Sequence, residues 1–102
     1  MRDPVIQTLR QALSQRLGPH LRGLWLFGSR ARGDARETSD YDVLIIVDEK
    51  TQDIRDRILD VQVDILDHHD ALVATLLRTE DEWRRSQGYP LARNIAREAV
   101  RL

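Results

Sequence analysis

Residues 24–47 read LWLFGSRARGDARETSDYDVLIIV, and this stretch decides the fold. Leu24, Trp25, Leu26 and Phe27 form a short apolar run bounded by Gly23 and Gly28. Such a run is too short for a core helix and predicts a buried strand. Tyr41 to Val47 is a second apolar run, richer in β-branched residues and apolar at successive positions. That pattern predicts a central strand covered on both faces. Between them lies a polar, glycine-containing connection from Gly28 to Ser39.

Working outward, Asp3-Pro4 pairs an N-cap residue with a proline whose missing amide proton costs nothing at the first helical position. Val5, Ile6, Leu9, Leu13 and Leu17 follow at helical spacing until Gly18-Pro19 ends the pattern. Thr51 to Leu59 is a polar helix carrying Ile54, Ile58 and Leu59. Val61, Val63 and Ile65 then alternate with Gln62, Asp64 and Leu66, the period of a third strand. Asp67 or Asp70 caps a helix through Leu72, Val73, Leu76 and Leu77, and a last helix from Pro90 carries Leu91, Ile95, Ala99 and Leu102. Interleaved strands and helices give an α/β (α+β) class, a small mixed sheet flanked by helices, in one domain over residues 1–102.

With 102 residues and 11.9 kDa, one core is expected, and any substrate-binding or regulatory domain would have to come from another chain. The absence of cysteine excludes disulfides, zinc thiolates and a cysteine nucleophile. Sixteen basic residues against seventeen acidic ones leave a net charge of -1, which argues against direct binding to nucleic acid through a generic basic surface. Neither a signal-peptide pattern nor a bilayer-length apolar run is present, so no membrane association and a cytoplasmic location are expected.

The chemistry lies in the quoted stretch. Glycine after a buried strand lets the backbone turn sharply and approach a bulky anion, while the Ser29 hydroxyl and nearby amides can donate to phosphate oxygens. Asp40 and Asp42, two residues apart on a strand, point to one face with Cα atoms about 6 to 7 Å apart. Such a pair can converge on one hard cation or on two, the arrangement used for phosphoryl and nucleotidyl transfer. Without a cation the two carboxylates repel each other beside the core. Asp64, on the expected third strand, would add a further carboxylate able to share a metal and accept a proton from an attacking hydroxyl.

These residues resemble a known family. Gly28-Ser29, ten intervening residues and Asp40-x-Asp42 look like the signature of the DNA polymerase β nucleotidyltransferase superfamily. The wording GSRARGDAR, Asp64 in VQVDIL and the tail PLARNIAREAVRL are similar to its minimal nucleotidyltransferase (MNT) branch. One departure is the link between the second and third strands, only about thirteen residues from Asp48 to Asp60, which leaves little room for a long helix. The resemblance implies a polymerase-β-like domain. In it, Gly28, Ser29 and Arg30 bind the phosphates of ATP, and Asp40, Asp42 and Asp64 are the catalytic residues and the ligands of two Mg²⁺ ions. It also implies a protein adenylyltransferase that moves AMP to a hydroxyl, a tyrosine by expectation, of a partner HEPN toxin. The chain would then be the antitoxin of a type VII-like toxin–antitoxin system and form a hetero-oligomer with that toxin.

Blander readings stand beside these. Gly28-Ser29 alone suits an ordinary strand-to-helix turn, and Asp40-x-Asp42 alone suits a solvated strand end. Arg30 and Arg32 are two of fifteen arginines in a chain with one lysine. His68-His69 cannot readily share a metal, because adjacent side chains diverge in either a strand or a helix. Two other functions fit the sequence: a non-catalytic antitoxin that neutralises its partner by binding, and nucleotidyl transfer to a small molecule or an RNA end.

Overall fold

The computed structural model describes residues 3–102. The first helix, α1, spans Pro4–Leu17, and Asp3 caps it as its spacing predicts: Asp3 Oδ1 accepts the Val5 N–H at 2.8 Å. A single 3₁₀ turn, Gly18–His20, leads into β1, Leu21–Phe27. A one-turn helix α2, Ser29–Arg32, and an irregular loop follow, and β2 is Tyr41–Val47. Both strands lie where the apolar runs put them.

Strands β1 and β2 pair antiparallel, with Leu26 opposite Val43 and Phe27 opposite Asp42. The residues of β2 alternate between two packed layers. Tyr41, Val43, Ile45 and Val47 join α1 in the larger core, while Leu44 and Ile46 turn to the other face against Ile95, Trp25 and Trp83. Burial on both faces explains why the run reads as apolar at every position after Asp42.

The middle of the chain departs from the sequence expectation. No strand forms at Val61–Ile65; residues Gln52–His69 are one helix, α3, capped by the Thr51 hydroxyl on the Ile54 N–H. Its buried residues are Ile54, Ile58, Val61 and Ile65, a helical spacing that runs through the supposed strand, whereas Val63 is exposed. The alternation of Val61, Val63 and Ile65 was thus incidental to a longer helical stripe. Conversely, Leu72, Val73, Leu76 and Leu77 do not form a helix. Val73–Thr79 is β3, parallel to β2 with Val73 opposite Tyr41 and Thr79 opposite Val47. A parallel neighbour needs a crossover, which α3 supplies. Pairing with the open edge of β2 overrides the local helical spacing of those leucines.

Beyond β3, Thr79 and Glu82 form a reciprocal capping box that starts α4, Glu80–Arg85. The Lys50 ammonium, 2.8 Å from the Glu82 carboxylate, and the Thr79 N–H hold that carboxyl at about 2. The last helix, α5, covers Pro90–Glu98, shorter than expected because Val100–Arg101 peel off as β4 and pair antiparallel with Trp25 and Leu26. The sheet order is β3-β2-β1-β4, a small mixed sheet flanked by helices, as the α/β (α+β) reading requires. Among the described residues, no helix is long and apolar enough to cross a membrane.

The helical register of α3 is directly testable. Ile65 is 1% exposed and Val63 is 46% exposed, although a strand would have turned both to the same side. Ile65→Ala is expected to cost about 2–5 kcal/mol in denaturant unfolding. Val63→Ala should stay within about 0.5 kcal/mol of wild type. Equal losses at the two positions would contradict the helix.

Candidate active site

The site is built where β1 hands over to β2. Gly28 leaves β1 at φ 76 and ψ -159, a region open to little besides glycine. Its carbonyl accepts the N–H groups of Ala31 and Arg32, both at 3.1 Å, and Gly33 closes the turn in the left-handed conformation. A Cβ added at Gly28 would overlap the Asp42 carboxylate. The glycine is therefore required twice, by its backbone angles and by the side chain that packs against it. The short turn and the acidic strand end form one structural unit.

Asp42 lies on the sheet face of Leu44, because side chains alternate along β2. It is half-buried, and Asp40, two residues before it, is exposed. Burial, together with the charges of Asp40 and then Glu98, pushes the Asp42 carboxyl above the ordinary aspartate value, against a smaller opposing pull from Arg32. Two neighbouring carboxylates, one of them short of water, make an oxygen donor set that a hard divalent cation would relieve. Mg²⁺ fits such a set, since it commonly takes one or two carboxylates and completes its shell with water and substrate phosphates.

Asp64 does not join this pair. It sits on an exposed position of α3, and α3 packs on the sheet face opposite Asp42, against Val43, Ile45 and Val47. The expectation that it shares a strand face with Asp40 and Asp42 fails because the segment is helical. The neighbour of Asp42 on β3 is Ala74, which carries no carboxylate. Among the described residues, no cluster of three or more acidic or histidine side chains is placed to hold a metal. His68 and His69 end α3, with His68 Nδ1 2.8 Å from the Asp64 carbonyl oxygen.

Arg30 is engaged on the other side of the sheet. Its guanidinium donates to the carbonyls of Ser39, at 2.9 Å, and Glu37, at 3.2 Å, and lies 4.1 Å from the centre of the Tyr41 ring. These contacts fold the 33–40 loop back onto α2. The Tyr41 hydroxyl donates to Asp3 Oδ2 at 2.6 Å. Burial and that bond push the phenol up to about 12.

Sequence reasoning passed over one carboxylate altogether. Glu98, at the end of α5, accepts the Gly28 N–H on Oε1 at 3.1 Å and the Arg32 guanidinium on Oε2 at 2.9 Å. Arg32 holds its carboxyl below the usual glutamate range. Nothing in the local sequence marks it, because its partners lie 70 and 66 residues away.

Two substitutions test this geometry. Gly28→Ala is expected to destabilise the chain by about 1–3 kcal/mol in chemical unfolding, and to displace Asp42. For Asp42, the folded state holds a proton more tightly than the unfolded state, so ionising it lowers stability as pH rises through the interval above the ordinary value of 3.8. Asp42→Asn should therefore melt at a higher temperature than wild type at pH 7. The difference should shrink as pH falls below that interval, and also when Mg²⁺ is added to the wild type.

The profile of the nucleotidyltransferase domain family matches residues 6–102. The proposed protein adenylyltransferase MJ0604 of Methanocaldococcus jannaschii is 26% identical over 96 residues, covering 94% of this chain and 92% of its own. Among solved structures, a toxin–antitoxin complex with AMP-PNP superposes with a TM-score of 0.61 at 18% identity, over 95% of this chain and 68% of that one. A variant of the MntA–HpeT toxin–antitoxin complex, with two Asp→Glu changes two positions apart, gives the same figures. A proposed nucleotidyltransferase from Sulfolobus solfataricus matches with a TM-score of 0.52 at 20% identity, over 99% and 87% of the two chains. These likenesses share the fold, and the family profile spans nearly all of the sequence. The chain belongs to the nucleotidyltransferase domain family and is a nucleotidyltransferase.

Proposed function

We propose that this chain transfers AMP from ATP to a tyrosine hydroxyl of a HEPN-domain toxin, with Mg²⁺ as cofactor, and that it serves as the antitoxin of that pair. The observation that carries the reading is the Asp42 carboxylate packed against the Gly28 turn, with the Asp40 charge acting on it. Support comes also from the protein adenylyltransferase named among its relatives and from the toxin–antitoxin complexes that share its fold.

In this reading the turn at Gly28 and Ser29 receives the β- and γ-phosphates. Asp40 and Asp42 would hold Mg²⁺, which supplies charge stabilisation at the α-phosphate. The acceptor hydroxyl attacks the α-phosphorus, the bond to the bridging oxygen of the β-phosphate breaks, and pyrophosphate leaves. The hydroxyl proton passes to solvent as the bond to phosphorus forms, with Asp40 and Asp42 left to hold the metal. Arg30 contributes by closing the loop that carries Asp40, through the Ser39 and Glu37 carbonyls. Asp64, on the far side of the sheet, has no part.

The test is incubation with ATP labelled at the α-phosphate, Mg²⁺ and the HEPN partner, followed by mass spectrometry of the partner. An adenylate on a partner tyrosine is the expected product. Asp40→Asn and Asp42→Asn should each lower its formation by about 10²-fold or more, and withholding Mg²⁺ should abolish it. An unlabelled partner, or labelling by the Asp42→Asn chain at the wild-type rate, would overturn the proposal.

A further inference from the structure

Glu98 is placed where a carboxylate is costly. It is the last residue of α5, where the helix dipole disfavours negative charge, and it adds to the repulsion that already raises the Asp42 carboxyl. The side chain is only 23% exposed. Its two oxygens are divided between the two ends of the α2 turn: Oε1 takes the Gly28 amide and Oε2 takes the Arg32 guanidinium. Each is a charge-assisted hydrogen bond, stronger than a neutral one. With its own amide drawn to Glu98, Gly28 has no backbone donor left for a ligand. The hydroxyl and amide of Ser29, the next residue, take no protein acceptor among the described residues.

We propose that Glu98 is a positioning residue of the nucleotide site, bracing the Gly28–Arg32 turn from the C-terminal helix so that Ser29 is presented to the triphosphate. This rests on the reading of the turn as the phosphate grip. The role is geometric: Glu98 fixes the turn through Gly28 and Arg32, and the phosphates meet the turn, not the carboxylate. It follows that the C-terminal segment, remote in sequence, sets the affinity for the phosphate chain.

The experiment compares wild type, Glu98→Gln and Glu98→Ala in two titrations. Calorimetry measures Mg²⁺–AMP-PNP binding, and NMR shifts measure Mg²⁺ alone. Removing hydrogen bonds of this kind is expected to weaken AMP-PNP about tenfold or more in Glu98→Ala. Glu98→Gln, which keeps the shape and one acceptor, should fall between it and wild type. Mg²⁺ alone should bind within about twofold of wild type in both, a readout that general loss of structure would not spare. AMP-PNP affinity unchanged in both variants would overturn the inference. Tighter binding would overturn it too, by showing that the carboxylate occupies the place of a phosphate. A parallel loss of Mg²⁺ affinity in the folded Glu98→Gln chain would make Glu98 a metal ligand instead. If wild type itself fails to bind AMP-PNP, the proposed function falls first, and that result is distinct from a difference between variants.

Discussion

The structure depends on one contact, the seating of the Asp42 carboxylate against a residue that has no side chain. Strand β1 ends opposite Asp42, so the chain must leave β1 through the space beside that carboxylate. Only glycine fits there, and only glycine tolerates the backbone angles that let the turn begin at once. The one-turn helix begins at this junction, and Glu98 reaches it from the end of α5.

This junction also concentrates unfavourable charge. The charges of Asp40 and Glu98 both bear on Asp42, and Arg32 is the cation that opposes them there while also pairing with Glu98. The rest of the molecule offsets that cost. Val43, Ile45 and Val47 on one face of β2, and Leu44 and Ile46 on the other, fix the strand between two apolar layers. A strand so held cannot shift its register without exposing one layer, and the acidic end is carried with it. Core packing thus keeps the carboxylates where electrostatics alone would separate them.

The parts legible in the sequence are those written in local periodicity. Asp3-Pro4 and the spacing from Ile6 to Leu17 specify α1, and two apolar runs specify β1 and β2. The place of Asp42 on the face of Leu44 needs only the two-residue period of a strand, whereas Asp40 lies just before β2 begins. Elements whose identity depends on distant partners were misread. Residues 61–66 carry both an alternating and a helical pattern, and only the packing of α3 on Val43 and Ile45 chooses between them. Residues 72–77 have helical spacing, yet the open edge of β2 recruits them as a strand. Asp64 was misplaced for that reason, and Glu98 was invisible because its meaning lies in a turn some seventy residues earlier.

Asp3 has a significance beyond capping a helix. One of its oxygens starts α1, the other accepts from the Tyr41 hydroxyl, and Arg30 lies 4.0 Å away. At the other end of the chain, Glu98 holds the Gly28 amide and the Leu102 amide donates to the Leu24 carbonyl. Both terminal segments are therefore moored to the same central hairpin, although terminal segments are where fraying usually begins. Opening the hairpin requires releasing both moorings, and releasing either slackens the hairpin. Such closure holds the acidic end of β2 from both ends of the described chain, through the Tyr41 hydroxyl on one side and the Gly28 amide on the other.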